Sequence, residues 1–257
     1  MTNSFDFGAN WLDFSQSVLD QDRLAQACDS LENLFGPSYL KGKSFIDVGS
    51  GTGLFSLAAK KNGADSVVGL DINPTCIAVA KQNALRFGLQ NEPHFYQINI
   101  LDTAQVSKLS PADIVYAWGS LHHTGNLSLA LKNATRLVKP GGHFLVAIYN
   151  KHWSSPWWHR IKRAYVRAPR FCQKILIGLM LPLIAAAKFA VTGKNPFKKE
   201  RGMDFRIDVI DWVGGYPYEY ASPSEMTERL EALGFEVKKT ILPATPTGCV
   251  EYICRKK

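Results

Sequence analysis

The stretch Phe45-Ile-Asp-Val-Gly-Ser-Gly-Thr-Gly53 decides the fold of this 257-residue chain. It begins within a short apolar run over 44–48 and passes through three closely spaced glycines into the helical pattern LFSLAAKK. Glycines at such a point let the backbone turn tightly and approach a ligand. The free N–H groups at the start of the helix favour a negatively charged group. The stretch therefore predicts a strand, a ligand-binding loop and a helix, in that order.

Strands and helices alternate outward from this loop. We predict helices over 15–35, 54–61, 74–87, 126–138 and 223–233, and strands over 44–48, 66–70, 94–98, 113–117, 143–149, 235–242 and 249–255. This alternation favours a doubly wound α/β fold, in which a mostly parallel sheet is covered by helices on both faces. Each crossover should be right-handed, and the last two strands should form a hairpin.

Two acidic residues narrow the identity of the ligand. Asp47 lies inside the first strand, and Asp71 ends the second, where an acid can accept hydrogen bonds from both ribose hydroxyls. A dinucleotide fingerprint requires a third glycine at position 54, which is Leu54 here. An acid at position 47 would repel a pyrophosphate but suits the amino and sulfonium charges of S-adenosylmethionine. This disfavours an oxidoreductase and favours S-adenosylmethionine as the cofactor.

The motifs resemble those of the class I S-adenosylmethionine-dependent methyltransferases. The matching blocks are FIDVGSGTG, GLDIN at 69–73, QINILD at 97–102, DIVYAWGSLHHTG at 113–125 and LVKPGGHFLVAIYN at 137–150. The resemblance covers about residues 44–150. It implies a seven-stranded sheet of order 3-2-1-4-5-7-6 with the last strand antiparallel.

The resemblance also implies roles for residues around the cofactor. The glycine loop should pass under the methionine and ribose, Asp47 should orient the amino group, and Asp71 should hold the ribose hydroxyls. Ile72 should lie against the adenine face. Asn99 occupies a position at the adenine edge where the family more commonly has an acid. The complete cofactor-binding set is Asp47, Gly49, Ser50, Gly51, Gly53, Asp71, Ile72, Asn99, Ile100 and Trp118.

Candidate acceptor-site residues follow the strands that end at the same edge of the sheet. His122 and His123 follow the fourth strand, and we expect either to act as a general base or, alternatively, to shape the loop. The acceptor pocket is predicted to include Trp11, Tyr149, Asn150, Arg201 and Asp211. Each has a purely structural alternative; that of Trp11 is to anchor the N-terminal helix to the core.

The net charge of +8 is concentrated in one segment. Residues 151–201 hold 12 Lys and Arg and a single acid, Glu200, whereas the rest of the chain holds 18 basic and 21 acidic residues. Within this segment Ile175–Ala187 is uncharged but is shorter than a spanning helix and contains Pro182. Three interpretations remain open: a helical lid over the site, an interfacial membrane segment, and a nucleic-acid contact.

The sequence thus predicts one domain over 1–257, with an N-terminal helical extension (1–40), a cofactor-binding core (41–150), a basic and apolar helical insertion (151–201) and a C-terminal part completing the sheet (202–257). We expect methyl transfer by direct displacement to an O, N or C nucleophile of a small or lipid-linked acceptor. The alternatives are RNA modification and a non-catalytic cofactor-binding module. Five cysteines without a CxxC pair suggest no metal site, and a terminus without signal-peptide features suggests a cytoplasmic location, with peripheral membrane contact through 151–201.

Overall fold

A computed structural model gives the fold. It describes residues 19–89, 91–193 and 205–257, together with Phe5, Phe7, Gly8, Trp11, Leu12, Ser15 and Asn195. Arg201, one of the predicted acceptor-site residues, lies outside the described residues.

Seven strands form one sheet of order β3-β2-β1-β4-β5-β7-β6. The strands are β1 Ser44–Val48, β2 Ser66–Asp71, β3 His94–Gln97, β4 Ala112–Trp118, β5 Val138–Tyr149, β6 Phe235–Ile241 and β7 Cys249–Lys256. Strands β1 to β5 pair in parallel, whereas β7 is antiparallel to both β5 and β6. The predicted fold class and strand order are therefore confirmed.

Helices cover the sheet on both faces. The helices of the described chain are α1 Gln21–Phe35, α2 Leu54–Lys61, α3 Pro74–Arg86, α4 Thr103–Val106, α5 Leu127–Arg136, α6 Ser155–Arg167, α7 Arg170–Thr192, α8 Phe205–Gly214 and α9 Pro223–Ala232, with a 3₁₀ turn at Leu121–His123. Of these, α6, α7 and α8 pack mainly on one another. Side-chain caps set several helix starts. Asp20 accepts a hydrogen bond from the N–H of Arg23, so α1 begins at Gln21 rather than at the predicted residue 15.

Two large apolar clusters lie on the two faces of the sheet. Successive strand residues alternate between them, so Phe45 belongs to one cluster while Ile46 belongs to the other. Strand β5 is longer than predicted because the Pro-Gly-Gly turn at 140–142 is a bulge inside it. The register against β4 shifts there, with Ala112 opposite Val138 and Ile114 opposite His143.

The insertion forms two helices, α6 and α7, and α7 does not end at Pro182. A proline inside a helix leaves the carbonyl four residues earlier, here that of Gly178, without its N–H partner. Both residues are exposed, so solvent can satisfy that carbonyl. By length and composition alone, α7 is the one helix of the described chain that is able to cross a membrane. It packs on α6 and α8 through a small cluster around Tyr165, Val209 and Val213.

Candidate functional site

One cavity of about 1230 Å³ lies at the carboxyl ends of β1, β2, β4 and β5. This is the edge where open α/β sheets bind ligands. The cavity is larger than the roughly 300–1000 Å³ of ordinary small-molecule sites, so it has room for a cofactor and a second molecule. Nine of the ten predicted cofactor residues line it, as do most of the predicted acceptor-site residues. Gly53 is the exception, because it faces Phe95 and Ala80 instead.

The backbone of the glycine loop has a conformation that requires glycine at two positions. Gly49 and Gly53 both have φ of +78°, in the left-handed region that favours glycine. A Cβ atom at Gly49 would lie 2.3 Å from Cβ of Ser120, and one at Gly53 would lie 2.8 Å from Cζ of Phe95. Ser120 in turn donates a hydrogen bond from Oγ to the Val48 carbonyl at 2.6 Å, which ties the loop after β4 to β1.

Asp71 joins the glycine loop to the end of β2. Its Oδ2 accepts a hydrogen bond from the Gly51 N–H at 3.0 Å, and its Oδ1 accepts one from the Asn73 N–H at 2.8 Å. Burial raises the pKa of Asp71, while these two bonds act in the opposite direction. The carboxylate is thus held at the position predicted for ribose recognition.

Asp47 is buried beneath the loop. Ser56 on α2 donates a hydrogen bond from Oγ to its Oδ2 at 2.7 Å. Burial raises the pKa of Asp47 to about 7, and the nearby charge of Asp71 adds to this effect. A cationic group bound above Asp47 would offset the cost of ionising it, as the predicted contact with an amino group requires.

The donor set fits S-adenosylmethionine. Within the described chain, the Oγ of Ser50 is buried without a hydrogen-bond partner in the glycine loop and is available to a ligand. Ile72 is 61% exposed although it lines the cavity, as expected of a residue that covers an adenine ring. Asn99 and Ile100 line the same part of the cavity.

Two tryptophans border the cofactor part of the cavity. Ring atoms of Trp11 would lie 3.5 Å from a Cβ atom at Gly51, so the indole covers the glycine loop. Trp11 also packs against a core cluster, so it both anchors the N-terminal segment and lines the cavity. Trp118 donates a hydrogen bond from Nε1 to Oε1 of Glu251 on β7 at 2.9 Å, a positioning contact that sequence reasoning did not identify.

The histidine pair lies in the 3₁₀ turn after β4. The rings of His122 and His123 are 4.4 Å apart, and both residues line the cavity. Nδ1 of His123 lies 2.7 Å from the Pro217 carbonyl, which fixes the proton on Nδ1 and leaves Nε2 as an acceptor. Burial lowers the pKa of His123 to about 3 and that of His122 well below 6.5, so both rings are neutral at physiological pH.

Of the two residues predicted at the end of β5, only Tyr149 reaches the cavity. Its ring packs 4.1 Å from that of His122, and burial raises the pKa of its hydroxyl well above 10. Asn150 does not line the cavity, because side chains alternate along the chain as it leaves the strand. It instead donates from Nδ2 to the Pro246 carbonyl at 3.0 Å and holds the 245–249 segment, which does line the cavity.

The insertion and α8 form the outer wall. Asp211 lines the cavity as predicted, beside Trp212, whose ring lies 4.0 Å from that of Trp158 on α6. The inner face of α7 completes the wall with Met180, Leu183, Ile184, Ala187, Lys188 and Val191. Among the described residues, no group of three or more His, Cys, Asp or Glu side chains is arranged to hold a metal ion.

Lys162 is a buried cation that the sequence alone did not distinguish from the other basic residues of 151–201. Its side chain is 0% exposed, and its Nζ lies 4.8, 4.9 and 5.4 Å from the ring centres of Tyr218, Trp212 and Tyr149. Nζ has no hydrogen-bond partner among the described residues. The spacing Trp158-Lys162-Tyr165 was the available signal, because these positions share one helix face.

Comparison with known proteins places these features in a family. Residues 40–170 match a family model described as a methyltransferase domain, which is about half of the chain. The ubiquinone biosynthesis O-methyltransferase of Coxiella burnetii (strain Dugway 5J108-111) is 34% identical over 116 residues, 45% of this chain and 47% of that protein. The chain thus spans about half the length of the curated relatives it matches.

Solved structures share the fold over most of the chain. The magnesium protoporphyrin IX methyltransferase of Synechocystis PCC 6803, with bound S-adenosylhomocysteine, is 17% identical with a TM-score of 0.57, covering 91% of this chain and 84% of that one. A 1,6-didemethyltoxoflavin-N1-methyltransferase of Burkholderia thailandensis, with its acceptor and S-adenosylhomocysteine bound, is 14% identical with a TM-score of 0.53, covering 93% and 80%. At these identities the likeness shows the fold.

The expectation of S-adenosylmethionine as cofactor agrees with the family and with the ligands of these structures. The chain belongs to the methyltransferase-domain family, of the class I type that its motifs predicted.

Proposed function

We propose that the chain transfers a methyl group from S-adenosylmethionine to a hydroxyl of a small, mainly apolar acceptor. One observation carries this proposal: the predicted cofactor residues Asp47 and Asp71 and the predicted acceptor residues His123 and Tyr149 line the same cavity. The O-methyltransferase names of the curated relatives support oxygen as the acceptor atom.

When bound, the cofactor supplies a methyl group on a positively charged sulfur, so no separate activation of the leaving group is needed. The chain contributes by holding both reactants in line and by excluding water. Asp71 and Ser50 would bind the ribose and methionine side, and Asp47 the amino group. Trp11 covers the loop from the solvent side.

His123 is suited to orient the acceptor hydroxyl. Its Nε2 is unprotonated, because Nδ1 donates to the Pro217 carbonyl. With a pKa of about 3 it is a weak base toward a resting hydroxyl, but it can accept a hydrogen bond from one. As the oxygen–carbon bond forms, the hydroxyl becomes strongly acidic, and His123 is placed to receive its proton.

The cavity and its surroundings favour an apolar or lipid-linked acceptor. Aromatic rings and the apolar inner face of α7 line the acceptor side. RNA modification is less well supported, because the exposed cations of α6 lie outside this apolar cavity. A cytoplasmic location is part of the same proposal.

Calorimetric titration with S-adenosylmethionine and S-adenosylhomocysteine, with NAD as the negative control, tests the cofactor. We expect saturable binding of the first two ligands and its loss in Asp71→Ala. The matched control is Asp65→Ala, which removes an exposed acid at the opposite end of the same strand. Binding at wild-type strength in Asp71→Ala would contradict the ribose assignment.

Turnover separates an enzyme from a cofactor-binding module. Phenols, catechols and quinols with apolar tails would be screened by the formation of S-adenosylhomocysteine and of a methylated product. With an accepted substrate, His123→Ala should reduce turnover by about 100-fold while leaving cofactor affinity unchanged. His94→Ala, an exposed histidine on β3, is the control. Cofactor binding without turnover on any acceptor would favour the module.

A further inference from the structure

Between Ile175 and Ala187, helix α7 is apolar on all sides, yet none of its residues is buried. A helix that is apolar all round normally lies in a protein core or in lipid. The inner face of α7 contacts α6 and α8 and lines the cavity. Its outer face carries Phe171, Ile175 and Leu179, with 73%, 48% and 63% of their surfaces exposed. The outer face of α7 is therefore apolar but is not covered by protein.

The exposed apolar surface is concentrated at the insertion. Of thirteen large apolar side chains exposed among the described residues, nine lie between Trp153 and Val191. Trp153 is 79% exposed and Trp157 is 59% exposed, at the start of α6. Monomeric soluble proteins rarely expose contiguous apolar surface on this scale, and tryptophan is the residue enriched at lipid headgroups.

Positive charge surrounds this surface. Arg160, Arg163, Arg167, Arg170 and Lys174 are all exposed on α6 and the first turns of α7, and the sequence from 151 to 195 contains no acid. Within the described part of the chain, none of the five forms an ion pair. Cations beside exposed aromatic and aliphatic side chains match the charge and the apolar interior of an anionic bilayer.

We propose that the outer face of α6 and α7 binds the surface of an anionic phospholipid bilayer, with α7 lying in the plane of the interface. A spanning arrangement is disfavoured, because it would pull Met180 and Ile184 out of the cavity wall and away from Val209 on α8. A second copy of the chain is also disfavoured as the occupant, since two faces with this charge would repel each other.

The same surface borders the cavity. Leu183 and Val191 line the cavity, yet 60% and 59% of their surfaces are exposed, so the opening beside α7 faces the proposed bilayer. An apolar acceptor dissolved in the membrane would therefore enter the cavity without crossing water. This step rests on the proposed function, whereas binding of the surface to lipid does not.

Co-sedimentation with vesicles tests the proposal. The full chain would be mixed with vesicles of phosphatidylcholine alone or of phosphatidylcholine with phosphatidylglycerol. We expect binding to the anionic vesicles. Joint replacement Arg163→Gln with Arg167→Gln should weaken it by about five-fold per charge. Ile175→Gln with Leu179→Gln should remove most of it, because neither residue lines the cavity but both lie on the outer face.

Matched controls make a negative result decisive. Leu85→Gln with Leu242→Gln replaces equally exposed side chains outside the insertion and should leave vesicle binding unchanged. Absence of binding to anionic vesicles, or an equal loss in the control pair, overturns the proposal, as does vesicle binding that resists the α7 variants. A concentration-dependent dimer abolished by those variants, without vesicle binding, would identify a second copy instead. Cofactor calorimetry without lipid reports on the proposed function separately.

Discussion

Replacing Lys162 by methionine should stabilise the protein at neutral and acidic pH. The lysine side chain is fully buried, and its ammonium group has three aromatic rings around it but no hydrogen-bond partner among the described residues. Methionine has a similar length and no charge, so Lys162→Met removes the cost of burying the ammonium while keeping most of the packing.

The size of the effect follows from the pKa of the lysine. Burial lowers it from 10.5 to about 7, although Asp211 and Cys249 act in the opposite direction. At about 1.36 kcal/mol per pKa unit, keeping the buried amine protonated costs about 5 kcal/mol. The variant loses the cation–π attraction, about 2 kcal/mol for a desolvated cation. The net gain in unfolding free energy should therefore be about 3 kcal/mol.

The stabilisation by Lys162→Met should decrease as the pH rises from 7 to 10.5. Between pH 7 and 10.5 the unfolded lysine is protonated and the folded one is not, so the unfolded state binds more protons. The unfolding free energy of the wild type therefore rises with pH across this window relative to that of the variant. The penalty of the buried charge is complete below pH 7 and falls to about 1 kcal/mol at pH 10.

Urea unfolding followed by circular dichroism at pH 6 and pH 10 measures the size of the stabilisation and its dependence on pH. Lys174→Met is the control, because Lys174 is exposed on α7 and should show little difference between the two pH values. If Lys162→Met is less stable than the wild type at pH 6, by an amount unchanged at pH 10, the ammonium is well solvated or paired and the reasoning is refuted.

Three further predictions concern the site. Because the pKa of Asp47 is raised to about 7 and its ionised form should bind the cofactor amino group, affinity for S-adenosylmethionine should rise from pH 6 to pH 8; calorimetry should show this dependence lost in Asp47→Asn. Because His123 has a pKa of about 3, turnover at saturating S-adenosylmethionine should show no inflection near pH 6.5, and a fall there would contradict the neutral assignment. Gly53→Ala should cost about 2–4 kcal/mol in urea unfolding, from left-handed strain and a clash with Phe95. Gly88→Ala, at φ +75° with open space around it, should show only the strain, about 1–2 kcal/mol.

The sheet and the cofactor side of the cavity were predictable because each depends on local sequence. Apolar runs of strand length identified the strands, and the glycine loop with Asp47 and Asp71 identified the ligand-binding edge. Bulges and strand ends were less predictable. The turn at 140–142 lies inside β5 because β4 pairs with β5 on both sides of the turn.

The acceptor side was harder to predict because tertiary contacts define it. Asn150 follows a strand that ends at the cavity, but one residue of alternation turns it toward Pro246. In the sequence, Lys162 is one of several basic residues of the insertion. It is buried because α6 packs against Tyr149 and Tyr218. The uncharged run at 175–187 was predicted to be shorter than a spanning helix, whereas α7 continues on both sides of it and past the exposed Pro182.

The position of β7 between β5 and β6 has a consequence for biosynthesis. The sheet cannot be completed until Cys249–Lys256 has left the ribosome, although α7 is translated well before it. At about 5–20 residues per second, residues 193–248 take about 3–11 s to translate. During that interval the sheet is unfinished even after α8 has been translated, so the nascent chain presents its most apolar helix to chaperones or lipid before the domain can fold.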